Sequence, residues 1–144
     1  MTYAVSGLQP AYSLVTFVEN GIVFETQNTA NGNSAPSFGI EVKLGIHSGY
    51  YECLGRNRVH LTDIGYVYKT NALPVLKSNG AIAIHDFYLT FSRDFKTYAG
   101  MAKYAFFTTG SNPFRKGNVP TYVSSTANVT GELLEDRNYK WPIG

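Results

Sequence analysis

The chain has 144 residues, of which 44% are hydrophobic and only 15% charged, with a formal net charge of +2. That length suits one domain spanning 1–144 with its own core, and a weak charge scattered along the chain excludes the basic stripe of a nucleic-acid binder. A single cysteine, Cys53, excludes an intrachain disulfide, and no apolar run is long enough to span a bilayer as a helix.

Aromatic residues make up 15% of the chain, with 11 Tyr and 9 Phe, and both residue types favour strands. In chain order, "YSLVTFV" (12–18) and "GIVFET" (21–26) predict strands joined through Glu19-Asn20-Gly21, where Asn and Gly accept positive φ cheaply. "GYYECL" (49–54) and "RVHLTDIGYVYK" (58–69) flank the turn "GRNR", and "GAIAIHDFYLTFS" (80–92) and "TYAGMAKYAFFTT" (97–109) flank "RDFK". After Pro120, "TYVSSTANVTGEL" offers one or two more strands and "DRNYKW" a last one.

Segments 27–39, 70–80 and 110–120 are rich in Asn, Gly, Ser and Pro and predict loops, the first of them either a loose surface loop or a lid. No segment keeps a 3.6-residue apolar period, and only Gly131 to Arg137 leaves room for a helical turn. The expected fold is all-β: a single antiparallel up-and-down β-barrel of about eight strands with little helix, because closure removes unpaired edges.

"VTFVENGIVFET", "PSFGIEVKLGIHSGYYECLGRNRVHLT" and "LTFSRDFKTYAGMAKY" together resemble a family of small calycin-like, lipocalin-like β-barrels, related in shape to allene oxide cyclase and dirigent barrels. Asn20-Gly21 stands where that family usually has Asp-Gly, and Tyr51 follows Gly49 where it has Trp. The resemblance covers roughly residues 12–109. It implies a fold that hosts ligand binders and enzymes steering cyclisation or isomerisation in an apolar cavity. It carries over no catalytic residue.

The faces of the strands narrow the candidates. A four-residue "RDFK" loop places Phe91 opposite Tyr98, Leu89 opposite Gly100, Phe87 opposite Ala102 and His85 opposite Tyr104 on one face. The other face pairs Asp86 with Lys103, as a solvated surface would, so the first face should look inward. An inward His85 beside an inward Tyr104 suits proton transfer, since imidazole titrates near neutrality and a phenol can donate to a developing oxyanion.

The 49–69 hairpin is undecided: with Leu54 opposite Val59, either Glu52 and Asp63 face inward, or Cys53, Tyr51, His60 and Tyr66 do. Asp63 and His60 are therefore second catalytic candidates. Phe87, Leu89, Phe91, Tyr98, Tyr66 and Tyr51 are the expected ligand-lining residues. A Cys53–His60 nucleophile lacks an orienting third residue, and a buried inert thiol accounts for Cys53 better. His47, His60 and His85 have no close spacing that signals a metal, and no nucleotide or serine-hydrolase motif is present, so no cofactor is expected.

The expected function is to enclose a hydrophobic small molecule, in the ambitious version as an isomerase or cyclase of natural-product type. The alternative is a non-catalytic carrier for a small apolar ligand; a barrel filled by its own aromatics is a third reading. No nucleic acid or membrane span is expected as partner, while self-association into a homo-oligomer is left open. The start, "MTYAVSGLQPAY", lacks the order of a secretory signal, so the cytoplasm is the expected compartment, with secretion left open.

Overall fold

A computed structural model describes residues 1–4, 11–28, 33–35, 40–69 and 80–134. They form eleven strands: β1 (Thr2–Ala4), β2 (Ala11–Val18), β3 (Ile22–Gln27), β4 (Asn33–Ala35), β5 (Ile40–Leu44), β6 (His47–Gly55), β7 (Arg58–Lys69), β8 (Ala81–Phe91), β9 (Thr97–Thr108), β10 (Tyr122–Val123) and β11 (Ala127–Glu132). The described chain is thus all-β and antiparallel throughout, with one 3-10 turn at Glu19–Gly21. None of its helices is long and apolar enough to cross a membrane.

Pairing runs from β11 through β1, β2, β3, β6, β7 and β8 to β9, and β9 in turn pairs both β11 and β10. β5 adds to the far part of β7, and β4 adds to β5. Three strands depart from the sequence-based expectation: β1, β5, and β4 inside the expected loop 27–39. β1 pairs the remote β11 and β5 the remote β7, which local patterning cannot report, while β4 pairs the neighbouring β5 from a segment with almost no apolar residue to signal a strand. Gly131 and Glu132, where a helical turn was allowed, belong to β11. The loop expected at 70–79, the strand expected at 136–141 and most of 27–39 lie outside the described residues.

The turns at one set of strand ends are tight, and local chemistry explains them. Asn20 and Gly21 take φ of 68° and 80°. In the loop from Ser92 to Thr97, the Ser92 amide donates to the Thr97 carbonyl at 2.9 Å, and Asp94 Oδ1 accepts from the Ser92 hydroxyl and the Lys96 amide. The β8–β9 register is the expected one, from Phe91 opposite Tyr98 to His85 opposite Tyr104, with Asp86 and Lys103 facing outward. The β6–β7 register is not. Arg56 and Asn57 both take positive φ in a two-residue turn between Gly55 and Arg58, which by itself would still set Leu54 opposite Val59. A bulge between Cys53 and Gly55 shifts the ladder by one and sets Cys53 there instead.

That one-residue difference sorts the hairpin in a way neither expected option did. Tyr51 and Asp63 share the core face with Leu61 and Val67, while Glu52, His60 and Tyr66 share the outer face. Cys53 lies opposite Val59 and is exposed, so it is neither a buried thiol nor a partner of His60.

Three layers follow one another along the core face. Val23, Leu61, Phe87, Leu89, Ala102 and Val129 form an apolar layer nearest the tight turns, closed over by Phe17, Tyr51, Phe91 and Tyr98. Val67, Ala81, Ala83 and Phe106 form a second, nearer the longer connections, with Leu44, Tyr104 and Tyr122 against it. Burying each large apolar side chain contributes about 1.5–3 kcal/mol. Between these layers the buried residues are polar: Glu25, His47, Asp63 and His85.

Candidate functional site

Cross-strand registers bring this polar layer together. Glu25 on β3 lies opposite His47 on β6, Asp63 on β7 lies opposite His85 on β8, and His85 lies opposite Tyr104 on β9. Gly49 stands opposite Asp63, and Gly65 accommodates the His47 ring, which a Cβ there would meet at 2.7 Å. Gly65 leaves space for the His47 imidazole, and Gly49 lets the β6 and β7 backbones approach closely.

His85 is the hub. Its Nδ1 donates to Glu25 Oε2 at 2.9 Å and lies 3.3 Å from Asp63 Oδ1. Its ring stacks on His47 at 4.4 Å and 13°, and meets Tyr104 edge-on at 6.1 Å. Burial opposes a charge on this ring, yet the hydrogen bonds and charges of Asp63 and Glu25 outweigh it and push His85 up to about 10. It is an imidazolium at neutral pH.

His47 behaves oppositely. Burial, reinforced by the His85 charge, lowers it to about 4, so the ring is neutral. Its Nδ1–H donates to the Gly45 carbonyl at 2.9 Å, which leaves Nε2 as the bare nitrogen. That Nε2 has no hydrogen-bond partner among the described residues, whereas Asp63 keeps its 3.3 Å ion pair with His85. Burial raises Asp63 to about 6, against the pull of His85. Leaving an atom such as His47 Nε2 unmatched costs about 1–3 kcal/mol, more than a purely structural network need bear. Tyr104, held by Tyr122, is pushed up by burial and remains a neutral phenol.

Of the residues expected from sequence to carry chemistry, the fold unites His85, Asp63 and Tyr104 and leaves His60 out. His60 lies on the outer face, stacked on Tyr88 at 4.4 Å, with Nε2 2.6 Å from Asp86 Oδ1 and Nδ1 3.0 Å from Glu52 Oε1. It cannot serve an interior site. Among the expected ligand-lining residues, Tyr66 is 50% exposed on the outer face, so it lines no interior. Phe87, Leu89, Phe91, Tyr98 and Tyr51 are on the core face but pack on one another, and the Tyr51 hydroxyl donates to the Val18 carbonyl.

Glu25 was missed by sequence reasoning, and His47 entered it only as one of three scattered histidines. In "GIVFETQ" the apolar set is Ile22 and Phe24, which alternation alone would turn inward, yet Val23, Glu25 and Gln27 are the buried ones. The only local signal is the neighbourhood of Gly49 and Gly65, whose meaning depends on the pairing. Comparison with protein-family models, curated proteins and solved structures finds no match.

Proposed function

We propose that the strands curl into a calycin-like barrel and that its interior takes up a hydrophobic small molecule, on which it acts as an isomerase or cyclase. The pairing of β9 with both β8 and β11 supports the curled sheet. The longer connections gather at the end where Ala81 and Ala83 present little bulk, which favours entry there. At the other end the packed aromatics form the floor.

The observation that carries the reading is the buried Asp63–His85–Glu25 cluster set between two apolar layers. Such a cluster is expensive to bury, and strongly perturbed titrating groups concentrate at functional sites. In this scheme Asp63 accepts a proton from one carbon of the bound molecule and returns it to another, so the product is an isomer and nothing is consumed. Charge developing on the substrate faces the His85 imidazolium, with the Tyr104 phenol behind it.

The test is to incubate the purified chain with a metabolite extract of its host and compare compounds retained and consumed against heat-denatured protein by mass spectrometry. A compound converted to an isomer supports the enzyme, and Asp63→Asn should then slow conversion about 100-fold or more while retaining binding. A compound retained unchanged makes the chain a carrier. Conversion that survives Asp63→Asn overturns the role given to that carboxylate.

A further inference from the structure

The geometry points to a divalent transition-metal site in the polar layer, with Glu25, His47 and His85 as ligands. One donor atom from each lies within 4.8 Å of the others, and all three residues are buried. The His85 Nδ1 to Glu25 Oε2 separation of 2.9 Å is already that of two ligands on one ion, because donors about 2.0–2.1 Å from a metal lie about 3 Å apart.

His47 supplies an independent observation. Its Nδ1–H is committed to the Gly45 carbonyl, which fixes the ring and presents Nε2 with its lone pair, and that buried Nε2 has no partner among the described residues. A backbone carbonyl on the far nitrogen is the support that metal-ligating histidines ordinarily have. The close fit over Gly65 holds the ring from one side, and binding tilts His47 and His85 out of their near-parallel stack so that both in-plane lone pairs reach one ion.

Two imidazoles and one carboxylate suit Zn²⁺, Fe²⁺ or Co²⁺ rather than the oxygen-seeking Ca²⁺ or Mg²⁺. Three protein ligands also leave coordination positions open, as at sites where a metal binds water or substrate. Asp63, outside the ligand set, stands with Oδ1 3.3 Å from His85 Nδ1, placed to act on whatever fills such a position. In that state the positive charge beside Asp63 is the ion's rather than the imidazolium's. The site does not depend on the isomerase reading, since a carrier could equally hold the ion.

The full chain, stripped with a chelator, is titrated with Zn²⁺ by calorimetry and with Co²⁺ by visible absorption. One ion per chain is expected, with affinity at least about 100-fold weaker in His47→Gln and in Glu25→Gln and unchanged in His60→Gln, whose ring lies on the outer face. Ring-nitrogen NMR of the unsubstituted chain provides a readout that no variant's folding can confuse: Zn²⁺ should shift the signals of His47 and His85 and leave His60 in place. Sub-stoichiometric uptake, equal binding by the two ligand variants, or a response confined to His60 overturns the site.

Discussion

At the scale of single residues, the third histidine is informative because it sits apart. His60 faces Glu52 from β6 and Asp86 and Tyr88 from β8, with Thr62 beside it and Lys103 opposite Asp86. Desolvation lowers its pKa, but the hydrogen bonds and charges of Glu52 and Asp86 raise it further, and the net shift is upward. A raised histidine stabilises the fold fully below its unfolded value of about 6.5, and that contribution disappears as pH climbs through the folded value. Urea midpoints measured from about pH 6 upward should therefore fall more steeply for the natural chain than for His60→Gln. Parallel curves would show the surface pairing to be energetically idle, as many are. Gly65 makes the complementary case: Gly65→Ala places a methyl 2.7 Å from a fully buried ring that cannot move aside, at a cost of about 1–3 kcal/mol readable in the same denaturation experiment. A variant as stable as the natural chain would mean that His47 has somewhere else to go.

At the scale of elements, the two central hairpins differ in how much local sequence decides. For β8 and β9, the Ser-Arg-Asp turn chemistry and the Asp86–Lys103 pair agree with the apolar face, and the register was legible down to His85 opposite Tyr104. For β6 and β7, the turn at "GRNR" was legible, but neither face of the hairpin is clean. The register was decided by a bulge between Cys53 and Gly55, which the alternation of side chains does not foretell. The candidate site inherited that ambiguity: His85, Asp63 and Tyr104 were legible as candidates, whereas the partnership of Glu25 with His47 exists only through a β3–β6 pairing between distant segments.

At the scale of the whole molecule, the all-β class was written in the Tyr and Phe content and the recurrent turns, while β1, β4 and β5 were not, being short strands of which β1 and β5 depend on remote edges. Unequal strand length carries a dynamic expectation. β7, β8 and β9 are paired along most of their length, whereas β1 joins β11 to β2 through only Thr2–Ala4. Native-state hydrogen exchange should find the β8 amides among the slowest and those of β1 among the fastest, opening well below the global unfolding free energy. Equal protection in the two would mean that β1 is held by more than its ladder.

The bulge between Cys53 and Gly55 stands well along the ladder from Asp63, yet it decides which β6 side chains emerge on the same side of the sheet as that carboxylate. Without it the strands would remain recognisable, but Glu52 and Tyr50 would stand opposite Leu61 and Asp63, and His47 would turn away from the face it now shares with them. The chemistry of the interior is therefore governed by parity, not proximity. A related chain could retain Glu25, His47, Asp63 and His85 letter for letter and still lose the site through the loss of a one-residue bulge that touches none of them.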